Sequence, residues 1–588
     1  MPRIKDEEND KAPKEPMNDH HSPIETSTSM NLSPTTRRSF LAFMGRTLAL
    51  GKTLPHWIGG SIAPLLSGCQ NQLVRSTLDT DQVQVRELTP YSNNNYLVSN
   101  IPPSIDDQIH LAQGFTYEIV AKWGDPIGKG LFFGSHADYL AFFPNNLSGT
   151  EGILWVNHEY MSPLFLSGYQ KGQKRTRAQI ELEQKAVGGS LVYIRKNSLN
   201  GNWEVDPTSS FNRRLDATTK IPFICERDIE GSRYAIGTLA NCAGGVTPWG
   251  TVLSCEENTD LFYGSKHSDQ DGAYWFKSSI YGWEKFFSYP PEHYGWVVEI
   301  DPKTGQAKKL TALGRFAHES ATTCLANDDR TVVYLGDDSE NQCLYKFISS
   351  RPGSLHEGKL YVANLESGKW VSLSLEDQPS LREKFIDQTD VLIRTRDAAH
   401  MVGGTRLPRP EDIEIDPQTG AVYVALTNQI KNKNYHGSIL KLEELNQDPL
   451  ALEFKSSTFK MGGVENGFAC PDNLAFDKKG NLWMTTDVSG KLLNQDPYRE
   501  FKNNSLFYIP LHGPQAGQTL RVATAPIEAE FTGPCFSPDG KTLFLSVQHP
   551  GEETKDIRYP TSHWPDGPGS IPKSAVIAIS LPPELTLD

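Results

Sequence analysis

Acidic residues and one cysteine recur at equivalent places in a repeated pattern of the sequence. Asp472 lies eight residues before Gly480, and Cys242 lies eight residues before Gly250. The same alignment, made on the turn that follows each run, selects Asp138, Cys242, Glu319, Glu411, Asp472 and Thr532. Carboxylates bind hard cations such as calcium, whereas a thiolate favours a transition metal. Together they predict a mixed metal site, and the alternative is that each acid caps a turn or meets water.

Three further residues extend this set. Glu159 and Glu257 each follow a β-rich run, and Glu159 could face one end of the channel. Arg409 precedes Glu411, and a guanidinium is the natural fork for a phosphoryl group. The alternative for Arg409 is a plain ion pair with Glu411 or Asp412.

Two histidines and a glycine-rich segment lie next to these candidates. His318 and His158 are expected to be core residues or to support the ligands rather than to bind metal. Asn157 is a candidate for the same end of the channel as Glu159. The run 242–245 reads Cys-Ala-Gly-Gly, and glycine has no Cβ to prevent a close approach of the backbone to another group.

Six hairpins must position these residues. Each is a β-rich run, a turn built on Asp, Pro or Gly, and a second apolar run that ends in polar residues. The turns at Gly420, Gly480 and Gly540 are 60 residues apart. Such a period predicts an all-β fold, a β-propeller with six blades and insertions, whose innermost strands line one axis. The turn 301–305 would then belong to an inserted hairpin or to a seventh blade.

Composition limits the classes of function. The chain has 588 residues, 48 Gly, 39 Pro and a formal net charge of −14. An acidic surface repels nucleic acid, so no specific nucleic-acid partner is expected. Apart from Cys69, the seven cysteines are odd in number and irregularly spaced, which argues against a complete disulfide framework.

The first 69 residues resemble an export signal rather than part of the fold. Arg37 and Arg38 precede Ser-Phe-Leu, which is typical of a twin-arginine (Tat) signal. The run 66–69, Leu-Ser-Gly-Cys, resembles a lipobox in which Cys69 would carry a lipid. A transmembrane anchor over 53–74 is a weaker alternative because that stretch contains Pro and Gly. We therefore predict a signal segment at 1–69 and a single propeller domain at 70–588.

At these motifs the chain resembles the PhoX-type alkaline phosphatases. The resemblance rests on the run 241–258 and on His318-Glu319-Ser320, Arg409-Pro410-Glu411-Asp412, Pro471-Asp472-Asn473 and Thr532-Gly533-Pro534, and it covers roughly residues 90 to 585. It implies a propeller phosphomonoesterase with ferric iron and calcium in its channel, bridged by an oxo group. A metal-bound oxo or hydroxide group would then attack the phosphorus atom of a phosphate ester.

The resemblance also implies roles for individual residues. Cys242 would bind iron, Glu319 and Glu411 would bind the metal cluster, and Arg409 would contact phosphate. Arg409, Glu319 and Glu411 would then be the catalytic residues. Asp138, Glu159, Glu257 and Asp472 are our extensions of that ligand set, and no acid is assigned to iron or calcium individually. The expected partners are small phosphate esters and the Tat export machinery. The exported protein is expected to be a monomer that lies in the periplasm, on a lipid anchor in the membrane, or outside the cell.

Other functions remain compatible with the residues. Phosphodiester or nucleotide substrates are open, because metal ligands can persist while substrate preference changes. A calcium-dependent lactonase or esterase would also use acids around a channel, although it needs no thiolate. A non-catalytic binding propeller would use calcium only as a brace. The aromatic insertion 281–296 is expected to pack internally, with a contact at the channel rim as the alternative.

Overall fold

Most of the strands form six β-sheets around a central axis, which confirms the predicted six-bladed propeller. This computed structural model describes residues 97–268 and 274–586. The twin arginines, Cys69 and the alternative anchor over 53–74 lie outside the described residues. Among the residues described, no helix is both long and apolar enough to cross a bilayer.

Each blade begins with the strand nearest the axis and continues outwards through antiparallel neighbours, apart from one parallel pair in the outer part of blade 2. Blade 1 contains Ala137–Pro144, Glu151–His158, Gly188–Lys196, Trp203–Val205 and Arg213–Leu215. Blade 2 contains Asn241–Val246, Val252–Glu256, Val297–Ile300, Ala307–Leu310, Lys220–Ile224 and Tyr234–Ile236. Blade 3 contains Thr322–Leu325, Thr331–Gly336, Leu344–Ser349, Gly358–Asn364 and Lys369–Ser372.

The last three blades follow the same order. Blade 4 contains Pro410–Ile415, Val422–Leu426, Ser438–Glu444 and Phe454–Met461. Blade 5 contains Pro471–Phe476, Leu482–Thr486, Ser505–Ile509, Leu520–Thr524 and His110–Leu111. Blade 6 contains Glu530–Phe536, Thr542–Gln548, Ala575–Ser580 and Thr116–Lys122. Because a strand from the beginning of the described chain completes blade 6, the ring is closed by pairing the two ends.

The predicted hairpins are the two innermost strands of the six blades. Gly420, Gly480 and Gly540 have φ values of +71°, +76° and +68°, which an L-residue with a side chain rarely adopts. The turn 301–305 belongs neither to an inserted hairpin nor to a seventh blade. It joins Val297–Ile300 to Ala307–Leu310, two neighbouring strands of blade 2.

The core consists of one apolar cluster at each of the six interfaces between adjacent blades. Between blades 6 and 1, for example, Leu140 and Val156 pack with Phe544 and Val576, all at most 2% exposed. The two faces of each sheet are therefore buried against the neighbouring blades, and the innermost strands line the axis.

In the part of the chain that the structure describes, helices lie in the connections between strands and after the last strand. The α-helices are Pro163–Ser167, Arg177–Ala186, Asp260–Tyr263, Gln388–Ile393, Thr395–Met401 and Pro583–Thr586. The 3₁₀ helices are Trp283–Lys285, Pro291–His293, Thr311–Leu313, Pro379–Glu383, Ile430–Asn432 and Leu445–Gln447. Short hairpins pair Pro126–Gly128 with Leu131–Phe132 and Ser265–Ser268 with Tyr274–Lys277, and a further pair joins Glu340–Gln342 to Leu407–Pro408.

Candidate active site and metal centre

The six residues selected by alignment occupy equivalent places around the axis, and we call them the first ring. They are Asp138, Cys242, Glu319, Glu411, Asp472 and Thr532. In five blades a β-bulge begins at or next to the first-ring residue. A bulge turns a side chain away from the regular alternation of a strand. The bulges thus direct these side chains into the channel, and all six line one cavity.

A second ring lies directly above the first, one residue for each blade. The residue before each first-ring position pairs with the residue before a second-ring position, for example Ala137 with His158 and Pro471 with Thr486. The second ring consists of Glu159, Glu257, Asp338, Thr427, Asp487 and Gln548. Five of them line the same cavity, and Thr427 Oγ1 donates to Glu411 at 2.6 Å.

The thiol lies among carboxylates. Cys242 Sγ is 3.5 Å from Asp138 Oδ2 and 3.3 Å from Glu319 Oε1. Three overlapping groups have potential ligand atoms within 4.8 Å of one another: Asp138 with Glu159 and Cys242, Cys242 with Glu257 and Glu319, and Glu319 with Glu411 and Asp472. All seven predicted metal ligands therefore converge.

Burial and mutual repulsion disfavour the charged forms of these acids. Burial, with the carboxylate of Asp138 nearby, raises the pKa of Glu159 to about 8. Burial raises the pKa of Asp138 to about 6, although a hydrogen bond from Thr532 opposes the shift. Burial and the surrounding carboxylates also raise the pKa of Cys242 well above its ordinary value. Such a cluster holds its full negative charge only when cations neutralise it.

The donor set suits metal ions. It combines carboxylate oxygens, preferred by hard cations, with a thiol that transition metals bind as thiolate. Glu319 Oε2 is buried and has no hydrogen-bond partner among the described residues. A bound cation would satisfy that oxygen, so the residues fit a metal centre.

Arg409 supplies positive charge to the rim of this cavity. Its Nε and Nη2 donate to the two carboxylate oxygens of Asp338, each at 2.7 Å. Nη2 also lies 2.9 Å from Glu411 Oε1. Burial opposes the charged guanidinium, but the carboxylates of Asp338 and Glu411 raise the pKa of Arg409 further above its ordinary value. The predicted ion pair with Glu411 is present, but Asp412 is not part of it: Asp412 accepts from the backbone N–H groups of Ile413 and Leu474.

The flanking residues take structural roles. His158 contacts Ser135 O and Ser190 Oγ, and His318 contacts Gly314 O, so both are core residues as expected. Neither lines the cavity. Asn157 lies behind Cys242 instead of facing the channel: its Nδ2 donates to Cys242 O and Ala243 O at 2.5 and 3.0 Å.

The glycines near Cys242 allow protein backbone to pass close by. A Cβ on Gly245 would lie 2.0 Å from Ala321 O in blade 3, and one on Gly244 would lie 2.5 Å from Leu253 O. The close approach that the sequence indicated is therefore between neighbouring strands.

The cavity measures about 470 Å³ and also contains residues that the sequence reasoning missed. These include Asp338, Asp487, Glu530, Gln548 and His549. Asp338 and Asp487 could have been found, because they follow the apolar runs at 332–335 and 482–486 as Glu159 and Glu257 follow theirs. His549 and Arg409 have positive φ values of +38° and +54°, which are unusual for residues other than glycine. No signal in the sequence predicts these backbone conformations.

The aromatic insertion divides between packing and the cavity. Trp283, Tyr294 and Trp296 are fully buried. Tyr281 lines the cavity together with Tyr160, Phe165 and other apolar residues. Packing is therefore the main role of this insertion, and one aromatic side chain reaches the rim.

Comparison with known proteins identifies relatives. The family model described as "Alkaline phosphatase PhoX" matches residues 96–551. The structure of Pseudomonas fluorescens PhoX in complex with vanadate, a transition state analogue, is 29% identical and covers 83% of this chain and 98% of that chain, with a TM-score of 0.73.

Other solved structures are more distant. A Dyadobacter fermentans protein of unknown function is 9% identical, covering 80% of this chain and 100% of that chain, with a TM-score of 0.36. A Xanthomonas campestris gluconolactonase is 10% identical, covering 83% and 100%, with a TM-score of 0.33. At these values neither supports a functional assignment. A search of curated proteins found no significant match.

Proposed function

This chain belongs to the PhoX alkaline phosphatase family, and from that membership we propose that it is an exported phosphomonoesterase that uses iron and calcium. The observation that carries the proposal is the convergence of a thiol, a ring of carboxylates and one arginine on a single cavity. The Pseudomonas relative is in complex with vanadate, a transition state analogue, which agrees with phosphate chemistry.

The metal ligands are proposed as predicted from the sequence. Cys242 would hold ferric iron, and Asp138, Glu159, Glu257, Glu319, Glu411 and Asp472 would share iron and calcium with it. When bound, these ions would supply the positive charge that a phosphate dianion needs and would lower the pKa of an attacking water.

The protein's own residues hold and orient the ester. Arg409 would donate to a phosphoryl oxygen and stabilise the charge that develops in the transition state. Its pairing with Asp338 and Glu411 keeps the guanidinium protonated at alkaline pH. Because several acids surround the site, phosphate would bind only after cations have neutralised them.

Hydrolysis of p-nitrophenyl phosphate at alkaline pH tests the proposal. The protein would be folded in its exporting host and assayed with and without a calcium chelator. We expect calcium-dependent release of p-nitrophenol that Cys242→Ala and Arg409→Ala both abolish. Asp377→Asn, which changes a surface acid paired with Lys359, is the control and should keep wild-type turnover. A folded, metal-loaded protein without turnover would refute the monoesterase proposal.

Bis-p-nitrophenyl phosphate distinguishes a diesterase. A monoester carries two negative charges and a diester carries one, and a cavity that has bound the proposed cations would favour the dianion. We expect kcat/KM for the monoester to exceed that for the diester. The opposite order would assign the same site to phosphodiesters.

We also propose export through the Tat pathway, supported by Arg37 and Arg38 in the sequence. The double substitution Arg37→Lys and Arg38→Lys should leave the precursor in the cytoplasm, whereas Arg46→Lys should not. Fractionation of cells expressing Cys69→Ser tests the lipid anchor, because loss of the lipid would release the protein from membranes. Unchanged fractionation would exclude the anchor.

A further inference from the structure

Asp338 forms a hydrogen-bonded ion pair with one edge of the Arg409 guanidinium. Nε and Nη2 donate to Oδ1 and Oδ2 in a two-bond fork, each bond 2.7 Å long. Nη2 also lies 2.9 Å from Glu411 Oε1, as an ion pair. The fork occupies two of the five N–H donors of the arginine.

The two donors on Nη1 have no acceptor among the residues that the structure describes. Arg409 lines the cavity, and its side chain is 26% exposed while that of Asp338 is 6% exposed. The arginine therefore meets the cavity with a defined part of its guanidinium, and the acid that fixes it is almost completely enclosed.

Asp338 is itself held by the fold. Its backbone N–H donates to Ala317 O at 3.0 Å, which ties it to the segment that carries Glu319. The preceding residue, Asp337, pairs with His318 in a β-bridge and accepts hydrogen bonds from Arg396. The fork is thus anchored in blade 3, although Arg409 enters from the first strand of blade 4.

We propose that Asp338 is a positioning residue that orients Arg409 so that Nη1 is presented to the phosphoryl group. A long arginine side chain has many rotamers, and a two-bond carboxylate fork reduces them to one. Asp338 is in the second ring beside Glu257 and Glu411, and both oxygens of its carboxylate accept hydrogen bonds from Arg409. Its contribution to phosphate binding therefore passes through the arginine. This inference rests on the proposed function of the site.

A double-mutant cycle with inorganic phosphate tests the proposal. Binding would be measured by calorimetry on all four metal-loaded proteins, and for the two that retain Arg409 also as inhibition of p-nitrophenyl phosphate hydrolysis. Asp338→Asn keeps the shape but loses the charge and one acceptor, and we expect Kd for phosphate to rise about tenfold. In an Arg409→Ala background the same substitution should change Kd by less than about twofold.

Asp387→Asn is the matched control. Asp387 forms the same kind of fork, with Arg227 Nε at 2.8 Å and Nη2 at 3.4 Å, but it does not line the cavity. Asparagine also preserves the helix cap that Asp387 provides at Asp390 N. Phosphate affinity should equal that of the wild type.

Metal content, measured by mass spectrometry on each variant, separates positioning from ligation. Retained metal, together with loss of the effect in the Arg409→Ala background, would support the proposal. A fall in bound metal in Asp338→Asn, or an equal effect in both backgrounds, would overturn it. If the wild type binds phosphate without hydrolysing the ester, the proposed function fails, while calorimetry still decides the role of Asp338.

Discussion

Removing the metals should make stability fall with rising pH, and Glu159 shows by how much. Burial and Asp138 raise the pKa of this carboxyl to about 8 in the protein without metal. Between its ordinary pKa and this value, the folded chain binds a proton that the unfolded chain releases. The contribution of a group with such a raised pKa is therefore fully present at low pH and is lost as the pH rises.

The size of the effect follows from the shift. Between about pH 6 and about pH 8, Glu159 alone should lower the free energy of unfolding by about 2 kcal/mol. In a chain of this length that corresponds to a fall in Tm of about 2 °C. Further buried acids with raised pKa values, among them Glu257, Glu319 and Asp472, add to the same trend. Scanning calorimetry of chelator-treated protein across this pH range measures it.

The variant Glu159→Gln tests whether the charge of Glu159 destabilises the metal-free protein at alkaline pH. Glu159→Gln removes the titrating group but keeps its shape, so the metal-free variant should be more stable than metal-free wild type at about pH 8. After calcium is restored the order should reverse, because the variant lacks one of the proposed ligands. A metal-free wild type whose Tm is flat or rises between about pH 6 and about pH 8 would refute this reasoning.

Three further substitutions separate chemistry from support. Cys242→Ser should lower kcat at least about 100-fold with loss of iron, because a serine hydroxyl does not replace a thiolate. Iron content measured together with turnover checks this prediction, and a full iron content would contradict it. Asn157→Ala removes two buried hydrogen bonds to the Cys242 segment and should cost about 1–3 kcal/mol of stability and weaken metal retention, seen in a chelator titration. Lys309→Met leaves Glu256 buried without its partner and should cost about 3–5 kcal/mol, with normal kcat in the folded fraction; a lowered kcat would contradict the purely structural role.

The fold was predictable because its repeat is local. A turn glycine with positive φ, flanked by apolar runs, specifies a hairpin wherever it occurs, and six hairpins with long spacing specify a propeller. The turn 301–305 shows the limit of that reasoning, since it has the same local signal but joins outer strands of blade 2. Which strand of a blade a turn serves depends on pairing between distant segments, as in the parallel pairing of Phe223 with Lys309.

The first ring was predictable for a related reason. Equivalent positions of a repeat must lie on one circle when the repeats close around an axis. The second ring follows from the same logic applied to the end of the second strand, so Asp338 and Asp487 were accessible to it. The pairing of Asp338 with Arg409 could not be predicted in this way, because the two residues are 71 positions apart in the sequence and belong to different blades. Nothing in the local sequence distinguishes a carboxylate that would bind metal from one that pairs with arginine.

The second ring also indicates where cations are required. Four of its members are acids, whereas blades 4 and 6 place Thr427 and Gln548 there. Both donate to a carboxylate of the first ring: Thr427 Oγ1 to Glu411 at 2.6 Å, and Gln548 Nε2 to Asp138 at 2.7 Å. A neutral donor stabilises a carboxylate without adding charge, while a second carboxylate at the same place requires a counter-ion. The two exceptions therefore limit the negative charge of the cavity, so that with cations bound it can still accept a phosphate dianion.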